Sequence, residues 1–379
     1  MKLPNLGFCC FFFFFFILFA FQTASPTFPE ASTIPLPNCF AFFLFGDSYV
    51  DAGNNNYINT TADFQANFPP YGETFFHLPT GRFTDGRTIP DFLAEYAGLP
   101  LIPPYLDPHN DFYDNGVNFA SSGSGALAES HEGSAIGLQT QMKFFKNVMK
   151  SLRKKLGNAS AQTLISNSVF LFNFGGNDYL NPFDISYDIF NTSSAQEQFV
   201  NMVVGNITIA LKEVYKYGGR KFGFMTVPPL GHMPSSRIKR SVQFFEEASS
   251  ITRLHNQVLP DALQKLGIQL EGFKYAFADT HTLLLQRILN PIKYGFKVAE
   301  TACCGSGAFR GFYNCGRNVE GLPFTHCDNL EDYIFFDSFH PTEKLFKQLA
   351  ELIWSGDAQI VKPYNFKQLF EYDSMLASY

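Results

Sequence analysis

Five short apolar runs punctuate the chain: "FAFFLF" (40–45), "GVNFA" (116–120), "VFLFNF" (169–174), "KFGFMTV" (221–227) and "FKYAFAD" (273–279). Each is continuous rather than alternating, as expected of strands in a parallel sheet covered on both faces. Between them the apolar positions shift to a helical period. "IPDFLAEYAGL" (89–99) follows the first run and "LQTQMKFFKNVMKSLRKKL" (138–156) the second. Residues 197–217 follow the third, 244–267 the fourth, and 342–354 is expected to close the chain. In that last segment Leu345, Leu349, Leu352 and Ile353 share one helical face. Alternation of this kind predicts a single α/β domain, a three-layer sandwich around a five-stranded parallel sheet, over about 40–360.

Ligands of such sheets bind beyond the carboxyl ends of the strands. Three polar tips stand there: Gly46-Asp47-Ser48, Ser121-Ser122-Gly123-Ser124-Gly125 and Gly175-Gly176-Asn177-Asp178. Ser48 reads either as a helix N-cap or as a nucleophile kept accessible by the small Gly46. A serine hydroxyl needs a base. Of the eight histidines, His340 alone has a carboxylate three residues earlier, Asp337, able to orient the imidazole and support its charge. The plainer alternative is a surface Asp-His pair. His77, His109, His131, His232, His255, His281 and His326 read as loop, surface or core residues. Gly123 lets its backbone approach a substrate closely, and Asn177 offers an amide, so both are candidate oxyanion donors.

The amino terminus changes the picture of location. Phe8 to Phe21 is unbroken and apolar, preceded by Lys2 and followed by small residues at 22–25. Fourteen residues fall short of the about 20 of a membrane span and suit a signal-peptide core, so residues 1–25 are expected to be removed and the protein secreted. Asn59, Asn158, Asn191 and Asn206 each head a glycosylation sequon. Cys303, Cys304, Cys315 and Cys327 cluster in a glycine-rich segment and read as two local disulfides. Structural zinc is the rival, but adjacent cysteines lack the Cys-x-x-Cys spacing it prefers. Adjacent residues seldom bridge, so Cys303 and Cys304 each pair with one of the other two, in an order left open. Cys39 is buried or free. A net charge of −6 without a basic stripe excludes nucleic acid as a partner. The 46 phenylalanines suggest a well-filled core.

"FGDSYVDAGNNNY", "GVNFASSGSG", "FGGNDY" and "FFDSFHPTE", in that order, resemble four sequence blocks of the plant GDSL esterases/lipases in the SGNH hydrolase superfamily. "YGFKVAETACCGSGAFRG" and "PYNFKQLFE" are similar to the secreted, defence-associated members. The resemblance runs from about Phe40 to the C-terminus. It implies a flavodoxin-like fold, with Ser48 as nucleophile, His340 as general base and Asp337 as its orienting acid. It implies oxyanion donors from the Ser48 and Gly123 backbone N–H groups and the Asn177 side chain, with "DAGNNNY" bracing the nucleophile turn. It implies no metal or organic cofactor and a lipid or small-molecule ester as substrate. Two departures stand out: Ser122-Gly123 replaces the usual Gly-Gly, and the cysteine common after the fourth strand is absent, with His232 in its place. An acyltransferase using the same triad is the alternative within enzymes. A non-catalytic binding or signalling protein on this scaffold is the alternative outside them. Specificity is expected to reside in loops 59–80, 105–115 and 181–195. The sequence sets no oligomeric state.

Overall fold

The computed structural model describes residues 40–110, 113–185, 192–238, 242–319 and 321–376. The 1–25 leader, Cys39 and Asn191 lie outside them. Five parallel strands form where the apolar runs predict: β1 (Phe42–Gly46), β2 (Gly116–Asn118), β3 (Val169–Asn173), β4 (Lys221–Met225) and β5 (Lys274–Ala278). Helices α1 (Ile89–Tyr96), α2 (Leu138–Leu156), α5 (Ser193–Tyr217), α7 (Val242–Gln269) and α9 (Glu343–Ser355) match the periodic segments within a few residues. The connections also contain α3 (Asn158–Asn167), α4 (Gly176–Ile185), α6 (Pro234–Ile238) and α8 (Thr280–Leu289). These are short, ten residues or fewer.

The chain does not close at α9. It continues into β8 (Val361–Pro363) and α10 (Phe366–Leu376). β8 pairs antiparallel with β5, so the sheet has six strands in the order β2-β1-β3-β4-β5-β8 rather than five. A three-residue strand containing proline suits only an edge, and gives almost no signal in sequence. Separately, β6 (Cys304–Gly305) and β7 (Thr325–His326) form a two-stranded antiparallel pair. Two disulfides tie this region, Cys303–Cys327 and Cys304–Cys315, which resolves the pairing. His326 lies 3.7 Å from the Cys303 sulfur, but two sulfurs bonded to each other offer no thiolate to zinc.

Phenylalanine in register builds the middle of the sheet. Phe43 pairs with Phe170 and Phe45 with Phe172 across β1 and β3, and both ring pairs stack, at 5.2 and 4.6 Å between centroids. From α2, Phe145 closes edge-on over Phe45 and Phe170. The chain leaves β1 toward β2 on one side, while β3 lies on the other. The crevice where the strand order reverses therefore opens between the ends of β1 and β3.

β1 ends at Gly46 for a packing reason. A Cβ there would stand 2.6 Å from the Asn173 carbonyl oxygen and 2.6 Å from Val50 Cγ2. Glycine thus permits the close approach of β3 rather than exposing Ser48. Gln141 of α2, fully buried, clasps this strand end: its Oε1 accepts from the Gly46 N–H at 3.0 Å and its Nε2 donates to the Gly46 carbonyl at 2.8 Å. Replacing Gln141 with leucine leaves the Gly46 N–H without its partner in a dry interior. We expect Gln141→Leu to destabilise the protein by about 1–3 kcal/mol, read from denaturant unfolding; a variant as stable as wild type would show that the clasp contributes nothing.

Candidate active site

Ser48 stands in a single turn after β1, where the Val50 and Asp51 N–H groups donate to the Asp47 carbonyl. No α-helix begins there, so Ser48 is not a cap. Its Oγ lies 2.8 Å from His340 Nε2. On the far side of the ring, His340 Nδ1 is 2.8 and 2.9 Å from the two oxygens of Asp337. A carboxylate only accepts, so Nδ1 carries the proton and Nε2 is left as the acceptor for the serine hydroxyl. The three residues form one continuous hydrogen-bonded line from solvent-shielded acid to serine.

Asp337 is fully buried, and it is held by more than the imidazole. The backbone N–H groups of Phe339 and His340 donate to its Oδ1 at 2.9 and 2.7 Å. The Tyr71 hydroxyl donates to Oδ2 at 2.8 Å. Tyr71 sits in the loop 59–80 and offers no motif, so sequence reasoning missed it. Tyr49, which follows the serine, donates its hydroxyl to the Phe339 carbonyl. Phe83 packs on His340 at 4.9 Å between ring centroids.

The other two tips converge on the same place. The Asn177 side chain lies at the start of α4, and one of its amide hydrogens goes to the Ser124 carbonyl at 3.0 Å. An amide nitrogen carries two hydrogens, and Asn177 lines the cleft. Asp178 caps the second tip, accepting from the Ala126 and Leu127 N–H groups and the Ser130 hydroxyl. Gly123 has φ +82°, and a Cβ there would meet the Phe64 ring at 2.4 Å. The asparagine run braces the turn as expected. Asp51 accepts from the Gly53, Asn54 and Ser122 N–H groups, Asn54 donates to the Asn118 and Ala120 carbonyls, and Asn55 donates to the Ser122 carbonyl.

These groups open onto a cleft of about 340 Å³. Ser48, Gly123, Asn177 and His340 lie on its floor. One wall is apolar: Phe174, Leu180, Val227, Leu230 and Met233. Most of that wall comes from the loop after β4, which the sequence reading did not assign to specificity. Of the loops it did assign, 59–80 contributes Asp63 and Phe64, and among its described residues 105–115 contributes no lining residue. Segment 181–195 is only partly described. His232, where a cysteine is common in the family, packs edge-on against Phe245, and burial lowers its imidazole to about 4.

A family model described as GDSL-like Lipase/Acylhydrolase matches residues 42–353. A GDSL lipase of Tanacetum cinerariifolium is 51% identical over 332 residues, covering 87% of this chain and 88% of that protein. The chain belongs to the plant GDSL esterase/lipase family. GDSL esterase/lipase 2 of Arabidopsis thaliana is 50% identical over 340 residues, covering 88% of this chain and 90% of its own. GDSL esterase/lipase 1 of the same plant is 49% identical over 341 residues, with 88% and 91% covered. This GDSL protein is thus an enzyme, a carboxylic ester hydrolase of the esterase/lipase type.

The Gly46-Asp47-Ser48-Tyr49 turn also buries a carboxyl group. Burial pushes the Asp47 carboxyl from its ordinary 3.8 up to about 7, against hydrogen bonds from the Tyr49 N–H and the Asn173 amide and the nearby His340. Burial likewise raises Asp51 and Asp85 to about 6. A group that holds its proton more tightly when folded makes folding take up protons, so its contribution to stability is lost as pH rises through the folded pKa. For Asp47 that window runs from 3.8 to about 7. Asp47→Asn keeps an oxygen acceptor and does not titrate. We expect its melting temperature, relative to wild type, to rise between pH 4 and pH 8. A difference that stays constant across that range would remove Asp47 as the titrating group.

Proposed function

We propose that this GDSL enzyme is exported and cleaves carboxylic esters of lipids or small acylated molecules through Ser48, His340 and Asp337. The single observation that carries the reading is the 2.8 Å contact from Ser48 Oγ to a histidine whose other nitrogen is held by a buried carboxylate. Ser48 Oγ attacks the ester carbonyl carbon while His340 Nε2 takes its proton. Asp337 supports the imidazolium that forms and keeps the ring in its tautomer. The negative charge that develops on the carbonyl oxygen is received by the N–H groups of Ser48 and Gly123 and the side-chain amide of Asn177. Collapse of the tetrahedral intermediate breaks the ester C–O bond, and His340 returns the proton to the departing alcohol. Water then repeats the sequence on the acyl-enzyme and frees the acid and Ser48. An apolar wall beside the serine suits an aliphatic or aromatic acyl group.

Export rests on the leader at 1–25, the sequons and the disulfide-bonded cysteines. Among the described residues no helix is long and apolar enough to cross a membrane. Asn59 and Asn158 are exposed, as glycan acceptors must be, whereas Asn206 is half-buried within α5. The catalytic domain spans 40–360 in this reading and needs no metal or organic cofactor.

A fluorophosphonate probe tests the nucleophile directly. It should label the folded protein at Ser48 and at no other serine, since among the described residues Ser48 is the serine seen hydrogen-bonded to a histidine nitrogen. Ser48→Ala should abolish labelling and ester cleavage while leaving the thermal transition near that of wild type. His340→Ala should suppress labelling as well. A wild-type protein that resists the probe and cleaves no p-nitrophenyl ester would sink the triad and leave a binding protein on this scaffold.

A further inference from the structure

We infer that His131 is a positioning residue for the oxyanion donor, acting through a hydrogen bond from its Nδ1 to the carbonyl oxygen of Gly123. The inference rests on the role proposed above for the Gly123 N–H. The contact is 2.8 Å long, and since a carbonyl only accepts, the proton sits on His131 Nδ1. His131 stands on the loop between β2 and α2, eight residues from Gly123, and both line the cleft.

Gly123 needs such a restraint. It has φ +82°, a conformation that glycine adopts freely and leaves as freely. Its N–H lies in the peptide plane shared with Ser122, and the next plane, which carries the Gly123 carbonyl, fixes the φ/ψ hinge about which that N–H could swing. The preceding plane is fixed at the Ser122 carbonyl by Asn55 Nδ2 at 3.0 Å. The following plane is held at the Gly123 carbonyl by His131 and at its other edge by the Ser124 N–H, which donates to the Ser121 carbonyl at 3.0 Å. Phe64 fills the space beside Gly123 where a side chain would be, and its ring meets the imidazole edge-on at 4.9 Å. Glycine, ring and imidazole therefore brace one another. His131 itself has φ +49°, an uncommon conformation for a residue with a side chain. Its own carbonyl accepts from the Ser134 and Ala135 N–H groups, which holds that conformation in place. Backbone strain kept at the rim of a reactive site is expected where geometry matters to the reaction.

The test compares two near-isosteric replacements in the full-length protein, with p-nitrophenyl butyrate as substrate. Asparagine tolerates the left-handed backbone and carries an amide N–H close to where Nδ1 stands; leucine has the same branching and no donor. His131→Leu should lower kcat by about tenfold or more, with KM changed by no more than about twofold. His131→Asn should recover most of that loss. If the leucine variant does not fold, His131→Gly replaces it, since glycine accepts the backbone conformation and also lacks the donor. A folded donor-less variant that keeps kcat, or an equal loss in the asparagine and leucine variants, overturns the inference. Asn177→Ala is measured alongside. A large kcat loss in Asn177→Ala with none at His131 overturns the role of His131 alone, whereas no loss in Asn177→Ala overturns the oxyanion reading and this inference with it.

Discussion

Buried strand ends must find partners for their backbone N–H and C=O groups, and in this enzyme three of them end in the same dry place. Side-chain amides and carboxylates meet that demand where no further sheet can. Gln141 serves Gly46, Asn54 serves the carbonyls after β2, Asp51 joins the nucleophile turn to the Ser122 N–H, and Asp178 gathers Ala126 and Leu127. Apart from the Gln141 clasp, which ties α2 to β1, these contacts join two tips, so satisfying the backbone and bringing Ser48, Gly123 and Asn177 together are one event. The Gly-Asp-Ser sequence stops an apolar strand because the next residues must turn, accept β3 at close range and still present a hydroxyl.

The same solution places several carboxylates out of water. Asp47, Asp51, Asp85 and Asp178 are all raised by burial, and hydrogen bonds oppose that rise without cancelling it. Asp91, by contrast, has a full countercharge in Arg82, 2.8 Å away and also buried. Organisation around the serine is thus held at the expense of electrostatic comfort, a pattern expected where function and stability compete for the same residues. The disulfides and the phenylalanine ladder supply stability elsewhere.

Much of this was legible in the sequence. The five parallel strands and the major helices follow from continuous apolar runs and helical periodicity; spacing offers Asp337 and His340 as a candidate pair, and the family resemblance adds Ser48 to it. What stayed hidden depends on contacts between distant segments. Tyr71 reaches Asp337 across 266 positions, and Gln141 looks like any polar residue on an amphipathic helix. His131 stands between Glu129 and Glu132 like any polar loop residue, and nothing in its spacing points to the Gly123 carbonyl. β8 and α10 carry too little apolar pattern to be read as parts of the sheet and its cover. The apolar cleft wall escaped notice because "VPPLGHMPSS" looks like a simple connector.

The part of that wall that follows β4 supplies none of the reacting groups, although the Ser235 N–H ties it to the Ser338 carbonyl. The nucleophile turn, the glycine tip and the asparagine tip are cross-linked to one another by hydrogen bonds, while Val227, Leu230 and Met233 come from a segment that contributes no group to the line from Asp337 to Ser48. Such separation means that a substitution at Val227, Leu230 or Met233 changes the shape of the cleft without removing a member of the hydrogen-bonded line from Asp337 to Ser48. A scaffold partitioned in this way can give rise to many enzymes with one reaction and different diets.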